Sequence, residues 1–239
     1  MQKYEPLRLY LEQKIGLSVE LQSEYDYPST IKNFANGRYH FGYIGPVPFL
    51  KAKEMQDNKL AIVANIQNCE PNYFQSVIVA KKGSGIHSLK ELEGKKFAFG
   101  SHESTLSYYV PMNMLLEEKM VKKLERYDFL GKHDKVAEFV IMGKYDAGAL
   151  KHSVAQKYKE YLQVIAASSA YPDFLIVMNK ELPSELQQKI RKAFLELKEP
   201  SIIKSLKSSA CGFKEVDESL YEPLKEIVRR VDLFESYDR

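Results

Sequence analysis

Three stretches of this 239-residue chain carry side chains whose type and spacing could handle a small anion. The first is Phe41-Gly42-Tyr43-Ile44-Gly45-Pro46, at the end of an expected strand. Glycine on both sides of Tyr43 lets the backbone turn and the phenol project beyond the sheet edge. Ligands of open α/β sheets bind there, outside the carboxyl ends of the strands. The competing reading is a half-buried turn aromatic. The second stretch is Phe99-Gly100-Ser101-His102-Glu103-Ser104-Thr105-Leu106-Ser107, followed by Tyr108-Tyr109-Val110-Pro111. A strand ends in glycine and a cluster of hydroxyls opens a helix, where free N–H groups and the helix dipole favour an anion. Capping alone needs one hydroxyl. Ser104, Thr105 and Ser107 put three within four positions, which points to a ligand, provided that Glu103 turns away. The third is Leu130-Gly131-Lys132-His133 at another strand-to-helix junction. The His133 ring could donate to an anion there, or simply serve as a cap or surface residue. Asp146-Ala-Gly-Ala reads as a structural turn into a buried strand.

Catalytic patterns are absent from the sequence. It has no Gly-x-Ser-x-Gly elbow, phosphate-binding loop or His-Glu-x-x-His, and no cysteine stands near a base. His40, His87, His102, His133 and His152 show no metal-ligand spacing. Neither turnover, a metal nor a cofactor is expected. The 35 basic and 32 acidic residues are spread along the chain, so nucleic acid is not an expected partner. No apolar run reaches the roughly 20 residues of a membrane-spanning helix. Cys69 and Cys211 are too few for a disulfide framework. They read as two unpaired buried thiols, with a single bridge as the alternative.

The elements that must position these residues follow from periodicity. Leu7, Tyr10, Leu11 and Ile15 mark a first helix stopped by Gly16, entered directly with no signal peptide. A strand over 18–21, a helix over 28–36, a strand over 40–44, a helix over 47–55 and a strand over 60–66 follow. A second series has strands near 76–80, 96–99, 126–129, 147–150, 162–167 and 174–178, with helices between. From Pro183 the chain reads as helical except for an extended stretch at 213–216. This alternation predicts an α/β fold with largely parallel sheets. With no flexible linker, the strands over 76–80 and 174–178 are expected to cross between two lobes. The boundaries then fall at residues 1–77 with 178–239 for lobe one and 78–177 for lobe two. Such a layout leaves a ligand cleft between lobes.

In this order the motifs resemble the substrate-binding proteins of phosphate, phosphite and phosphonate ABC transporters. Tyr4-Glu-Pro-Leu, Asp26-Tyr27, Gly42-Tyr43-Ile-Gly45-Pro46, Ser76-Val-Ile-Val-Ala and Ser84-Gly-Ile carry the likeness. Ser88-Leu-Lys-Glu-Leu-Glu-Gly-Lys-Lys-Phe, Ser104-Thr105, Val110-Pro111, Gly131-Lys-His133, Asp146-Ala-Gly-Ala and Pro172-Asp173 complete it over most of the chain. The resemblance implies the two-lobed type II periplasmic-binding fold, closing on an oxyanion. It implies a hydrogen bond to the ligand from Tyr43 in lobe one. Ser104, Thr105 and nearby N–H groups would hold the anion, with His133 as donor from lobe two. Asp173 would meet a protonated ligand oxygen or amine at the return crossing.

Three departures accompany the likeness. The family's Ser-Thr-Ser-Gly is here Ser104-Thr105-Leu106-Ser107, which loses or displaces one hydroxyl. The family's cleft tyrosine is matched only by the shifted Tyr73. The family's first strand has no counterpart before the first helix. The implied protein is an extracytoplasmic, monomeric carrier that hands a phosphonate-, phosphite- or phosphate-type anion to an ABC permease. A ligand-sensing receptor domain of the same fold is the alternative, and an enzyme of that fold ranks below both.

Overall fold

A computed structural model describes residues 2–55, 57, 59–69 and 74–237. In chain order the elements are α1 (Glu5–Ile15), α2 (Tyr27–Ala35), β1 (Phe41–Ile44), α3 (Pro46–Met55), β2 (Leu60–Asn68) and β3 (Gln75–Lys81). Next come β4 (Lys96–Phe99), a π-helical turn Thr105–Tyr109 running into α4 (Val110–Glu117), β5 (Arg126–Phe129), α5 (His133–Ile141), β6 (Ala147–Lys151), α6 (His152–Lys157) and β7 (Leu162–Ala170). The last are β8 (Leu175–Asn179), α7 (Ser184–Leu195), α8 (Pro200–Leu206), β9 (Ala210–Lys214) and α9 (Glu222–Tyr237). Two compact units result, Met1–Asn72 with Pro172–Tyr221, and Tyr73–Tyr171 with Glu222–Arg239.

The first unit is built on a four-stranded sheet in the order β1-β8-β2-β9. Its local signals act as the sequence implies. Leu7, Tyr10, Leu11 and Ile15 form the buried stripe of α1, and Gly16 closes it at φ +78°, a conformation that suits glycine. Asp26 caps α2 by accepting from the Ser29 N–H at 2.8 Å. The stripe of α1 packs with Val63, Ile66, Ile176, Ile190, Phe194 and Phe213 into one apolar core. Each such side chain taken from water contributes about 1.5–3 kcal/mol.

The second unit holds a five-stranded sheet in the order β5-β4-β6-β3-β7. Val77, Val79, Ala98, Val136, Val140 and Leu150 make its core. Gly148 admits α5 against the sheet, since a Cβ there would meet Val136 Cγ1 at 2.5 Å. The Asp146 carboxylate accepts from the Lys96 N–H at 2.8 Å, the structural turn that the sequence suggests.

Four expectations are corrected. The sheets are mixed rather than largely parallel. Both β1 and β2 run antiparallel to β8, which sits between them, and β9 is antiparallel to β2. The β1-α3-β2 crossover still leaves its two strands pointing the same way, but the returning chain takes the place beside each. In the second unit only β4 with β5 and β4 with β6 are parallel. Second, residues 18–21 form no strand, because the Val19 N–H is taken by the Glu12 carboxylate at 2.9 Å instead of a ladder. Third, β3 and β8 each lie wholly in one sheet, and the chain passes between units at 72/73, 171/172 and 221/222. Fourth, α9 groups with the second unit, where Tyr109 donates to Asp232 at 2.7 Å and Arg230 to Asn113 at 2.9 Å. The Tyr108 hydroxyl also donates to Glu235.

Candidate functional site

Three parallel strands of the second unit, β5, β4 and β6, present their carboxyl ends side by side, and each is followed by a helix. The central strand, β4, leads through Gly100–Ser104 into the turn Thr105–Tyr109. Ser104 is the N-cap, accepting on Oγ from the Ser107 N–H at 3.2 Å, while its carbonyl accepts from Tyr108 and Tyr109 N–H at 3.2 and 3.0 Å. An oxygen that accepts still has its own proton to donate. The bond that skips to Tyr109 widens the turn to the π form, a geometry frequent at functional sites. The first N–H groups of this turn, those of Thr105 and Leu106, precede the ladder.

The widened turn also decides what becomes of Ser107. Its residue is 1 % exposed, and its Oγ is the buried side-chain atom that finds no hydrogen-bond partner among the described residues. A hydroxyl buried without a partner costs about 1–3 kcal/mol. Gly100 makes the space, because a Cβ there would press on Ser107 Oγ and come within 2.6 Å of its Cβ. Backbone bonds fasten the same spot, from Gly100 N–H to the Ser107 carbonyl and from Gly131 N–H to the Gly100 carbonyl, each 3.0 Å. Ser76, itself fully buried, donates its hydroxyl to the Leu106 carbonyl at 2.7 Å and pins the turn to β3. Glu103 is drawn off toward His102 and Tyr109, at 3.4 Å from each.

His133 opens α5 beyond β5. Its Nδ1 accepts from the Lys151 N–H, at the end of β6, at 3.1 Å. Burial, helped by the nearby Lys151 ammonium, pushes the imidazole down to about 4. At neutral pH the ring is therefore uncharged, and with Nδ1 accepting, its proton stands on Nε2 as a hydrogen-bond donor. Lys151 adds positive charge beside it. Sequence reasoning missed both Lys151 and Ser76, whose placement comes from strand register alone: the two are direct partners across β6 and β3.

In the first unit, Tyr43 lies on β1 opposite Ile176, with its ring 4.9 Å from that of Phe174. Burial, with the charge of Asp173 and the phenols of Tyr4 and Tyr27 close by, holds its hydroxyl far above the ordinary tyrosine range. It is a permanent donor. Asp173, 5 % exposed, has its carboxylate engaged by Lys207, by Asn68 Nδ2 at 3.0 Å and by the Phe174 N–H at 2.7 Å. Tyr73 lies outside the described residues. The structure thus brings Ser104, Thr105, Ser107 and His133 to one end of one sheet, while Tyr43 and Asp173 belong to the other unit.

Comparison with known proteins agrees with this architecture. The family model for periplasmic substrate-binding proteins of phosphonate ABC transporters matches residues 1–221. The phosphate-import protein PhnD of Mycolicibacterium smegmatis is 28% identical over 155 residues, 61% of this chain; the match spans about half of that protein, 48%. A probable ABC transporter phosphite-binding protein, PhnD1, of Prochlorococcus marinus is 24% identical over 93% of this chain and 82% of its own length. The solved structure of PhnD1 from Prochlorococcus marinus in complex with methylphosphonate superposes with a TM-score of 0.83 at 22% identity, covering 97% of this chain and 92% of that one. Among the described residues no helix is long and apolar enough to cross a membrane. The chain belongs to the periplasmic substrate-binding proteins of phosphonate ABC transporters.

Proposed function

We propose that this protein captures a small phosphorus oxyanion, of the phosphonate, phosphite or phosphate type, and delivers it to an ABC permease. The anion is held at the start of the Thr105–Tyr109 turn. The observation that carries this reading is the Ser107 hydroxyl, buried without a partner beside the N–H groups that open a helix. An oxyanion there gives that donor its acceptor and meets the positive end of the helix dipole. Ser104 and Thr105 add hydroxyls, His133 adds a neutral donor, and Lys151 contributes charge. This arrangement holds and orients an anion and contains no activated nucleophile beside a base, which suits carriage rather than conversion. Tyr43 is retained as a proposed donor on its own evidence, a phenol that does not ionise in the working range. Asp173, already shared among three partners, serves in this reading as a clamp at the entry to β8.

A thermal-denaturation panel with methylphosphonate, phosphite, phosphate, sulfate and arginine tests the proposal. A ligand that binds only the native state raises its unfolding temperature with concentration. At least one phosphorus oxyanion should do so more strongly than sulfate or arginine. A panel in which only sulfate or arginine stabilises the protein would overturn the substrate class.

A further inference from the structure

The two cysteines are neither buried nor apart. Both are exposed, and they occupy neighbouring antiparallel strands of the first unit. Asn68 and Ala210 are direct partners, and so are Gln67 and Gly212, so Cys211 is the extra residue of a bulge on β9. Cys69 follows Asn68, and its N–H donates to the Ser209 carbonyl at 2.9 Å. The bulge leans the Cys211 Sγ along β2, 3.7 Å from the Gln67 carbonyl. Cys69, paired with Ser209, is therefore the diagonal neighbour of Cys211 across the strand pair, and it is the group that most influences the Cys211 thiol. Direct partners on paired strands lie about 4.5–5.5 Å apart and diagonal neighbours about 7–8 Å, so this offset pair stands close to the roughly 4.4–6.8 Å that a disulfide spans.

We propose that Cys69 and Cys211 form an intrachain disulfide when the protein meets an oxidising thiol–disulfide couple, such as that of a periplasm. The reaction is two exchanges with a low-molecular-weight disulfide, here oxidised glutathione. One cysteine thiolate attacks a glutathione sulfur and expels one glutathione thiolate, leaving a mixed disulfide. The second cysteine thiolate then attacks the protein sulfur and expels the other glutathione. The protein loses two hydrogens and two electrons, and two molecules of reduced glutathione carry them away. The neighbouring Cys69 holds the Cys211 thiol above its ordinary value, whereas the Lys204 ammonium favours its thiolate. The bond closes a loop over residues 70–210, which contains the whole Tyr73–Tyr171 segment. It therefore ties together, on the first unit, the strand that leads out to that segment and a strand laid down after the return.

The test equilibrates the purified protein with oxidised and reduced glutathione at a periplasmic ratio, quenches with acid and alkylates under denaturing conditions. The expected result is an intact mass short of two hydrogens, no alkylated cysteine and a cross-linked peptide pair joining Cys69 to Cys211. Reductant should lower the thermal midpoint of the wild type and leave that of Cys69→Ser unchanged. Two alkylated thiols after equilibration would overturn the proposal, as would glutathione adducts or disulfide-linked dimers in place of the internal bridge. An internal bridge whose reduction leaves the midpoint unmoved would overturn its part as a tie. None of these readouts depends on which anion the protein carries.

Discussion

Replacing Ser107 by alanine separates a ligand group from a structural one by the signs of two effects. In the free protein the hydroxyl is 1 % exposed and unpartnered, so removing it takes away a desolvated polar group and leaves a methyl of similar size. Relief of up to about 1–3 kcal/mol is available from that source. For a chain of this length the thermal midpoint shifts by about 2–4 °C per kcal/mol, upward in this case. In the complex the same hydroxyl donates to a charged oxygen, an interaction of about 1.5–3 kcal/mol. At 1.4 kcal/mol per decade, affinity should fall by about 10- to 150-fold. Titration calorimetry with the oxyanion that stabilises the wild type best, paired with thermal denaturation without ligand, measures both. The expected variant is at least as stable as the parent and binds far more weakly. A variant that is less stable and binds with the parent's affinity would refute the reasoning and make Ser107 a packing residue.

Three further outcomes follow from the same geometry. Gly100→Ala should lose both stability and affinity, because its Cβ drives into Ser107 Oγ and Cβ; denaturation and calorimetry show whether the two fall together, and an unaffected variant contradicts the crowding. The folded His133 takes a proton only near about 4, while the unfolded chain takes one near its ordinary 6.5, so protons favour unfolding. Stability of the wild type should therefore fall as pH drops between those two values, and His133→Asn should lose less over that window; parallel curves in denaturant would sink the assignment. Tyr43→Phe keeps the ring packed at a tilt against Phe174 and removes one donor, so stability should hold while affinity drops by about 1.5–3 kcal/mol, the scale for a bond to a charged group; unchanged affinity removes Tyr43 from the site.

The fold was legible where the signal is local. The stripe and glycine stop of α1, the Asp26 cap and the turn at Asp146 all depend on residues close in sequence or on one buried face. Strand direction was not, since β8 enters between β1 and β2 only after the Tyr73–Tyr171 segment of the other unit, and no local pattern encodes a neighbour so distant. The same limit explains the α9 assignment, which depends on the Tyr109–Asp232 bond and on the apolar stripe Leu224, Ile227, Val228 and Val231 rather than on position in the chain. Within the candidate site, the hydroxyl cluster and the histidine were visible as residue types at strand-to-helix junctions. The orphaned state of Ser107 was not, because it arises from a widened turn and from the missing side chain of Gly100. Lys151 and Ser76 escaped notice for a related reason, that a β register brings them beside the site while their own neighbours in sequence announce only a buried strand.

The most direct measurement of anion capture at the start of the turn is an amide proton–nitrogen NMR titration of the labelled protein with methylphosphonate, phosphite and phosphate. N–H groups that donate to an oxyanion move strongly downfield, as charge-assisted hydrogen bonds shorten. The largest saturable downfield shifts should fall on the amides of Thr105 and Leu106, with a smaller change at the His133 Nε2 proton. Saturable binding that leaves those two amides in place, or moves a cluster elsewhere in the chain, would contradict the placement of the anion at this helix start.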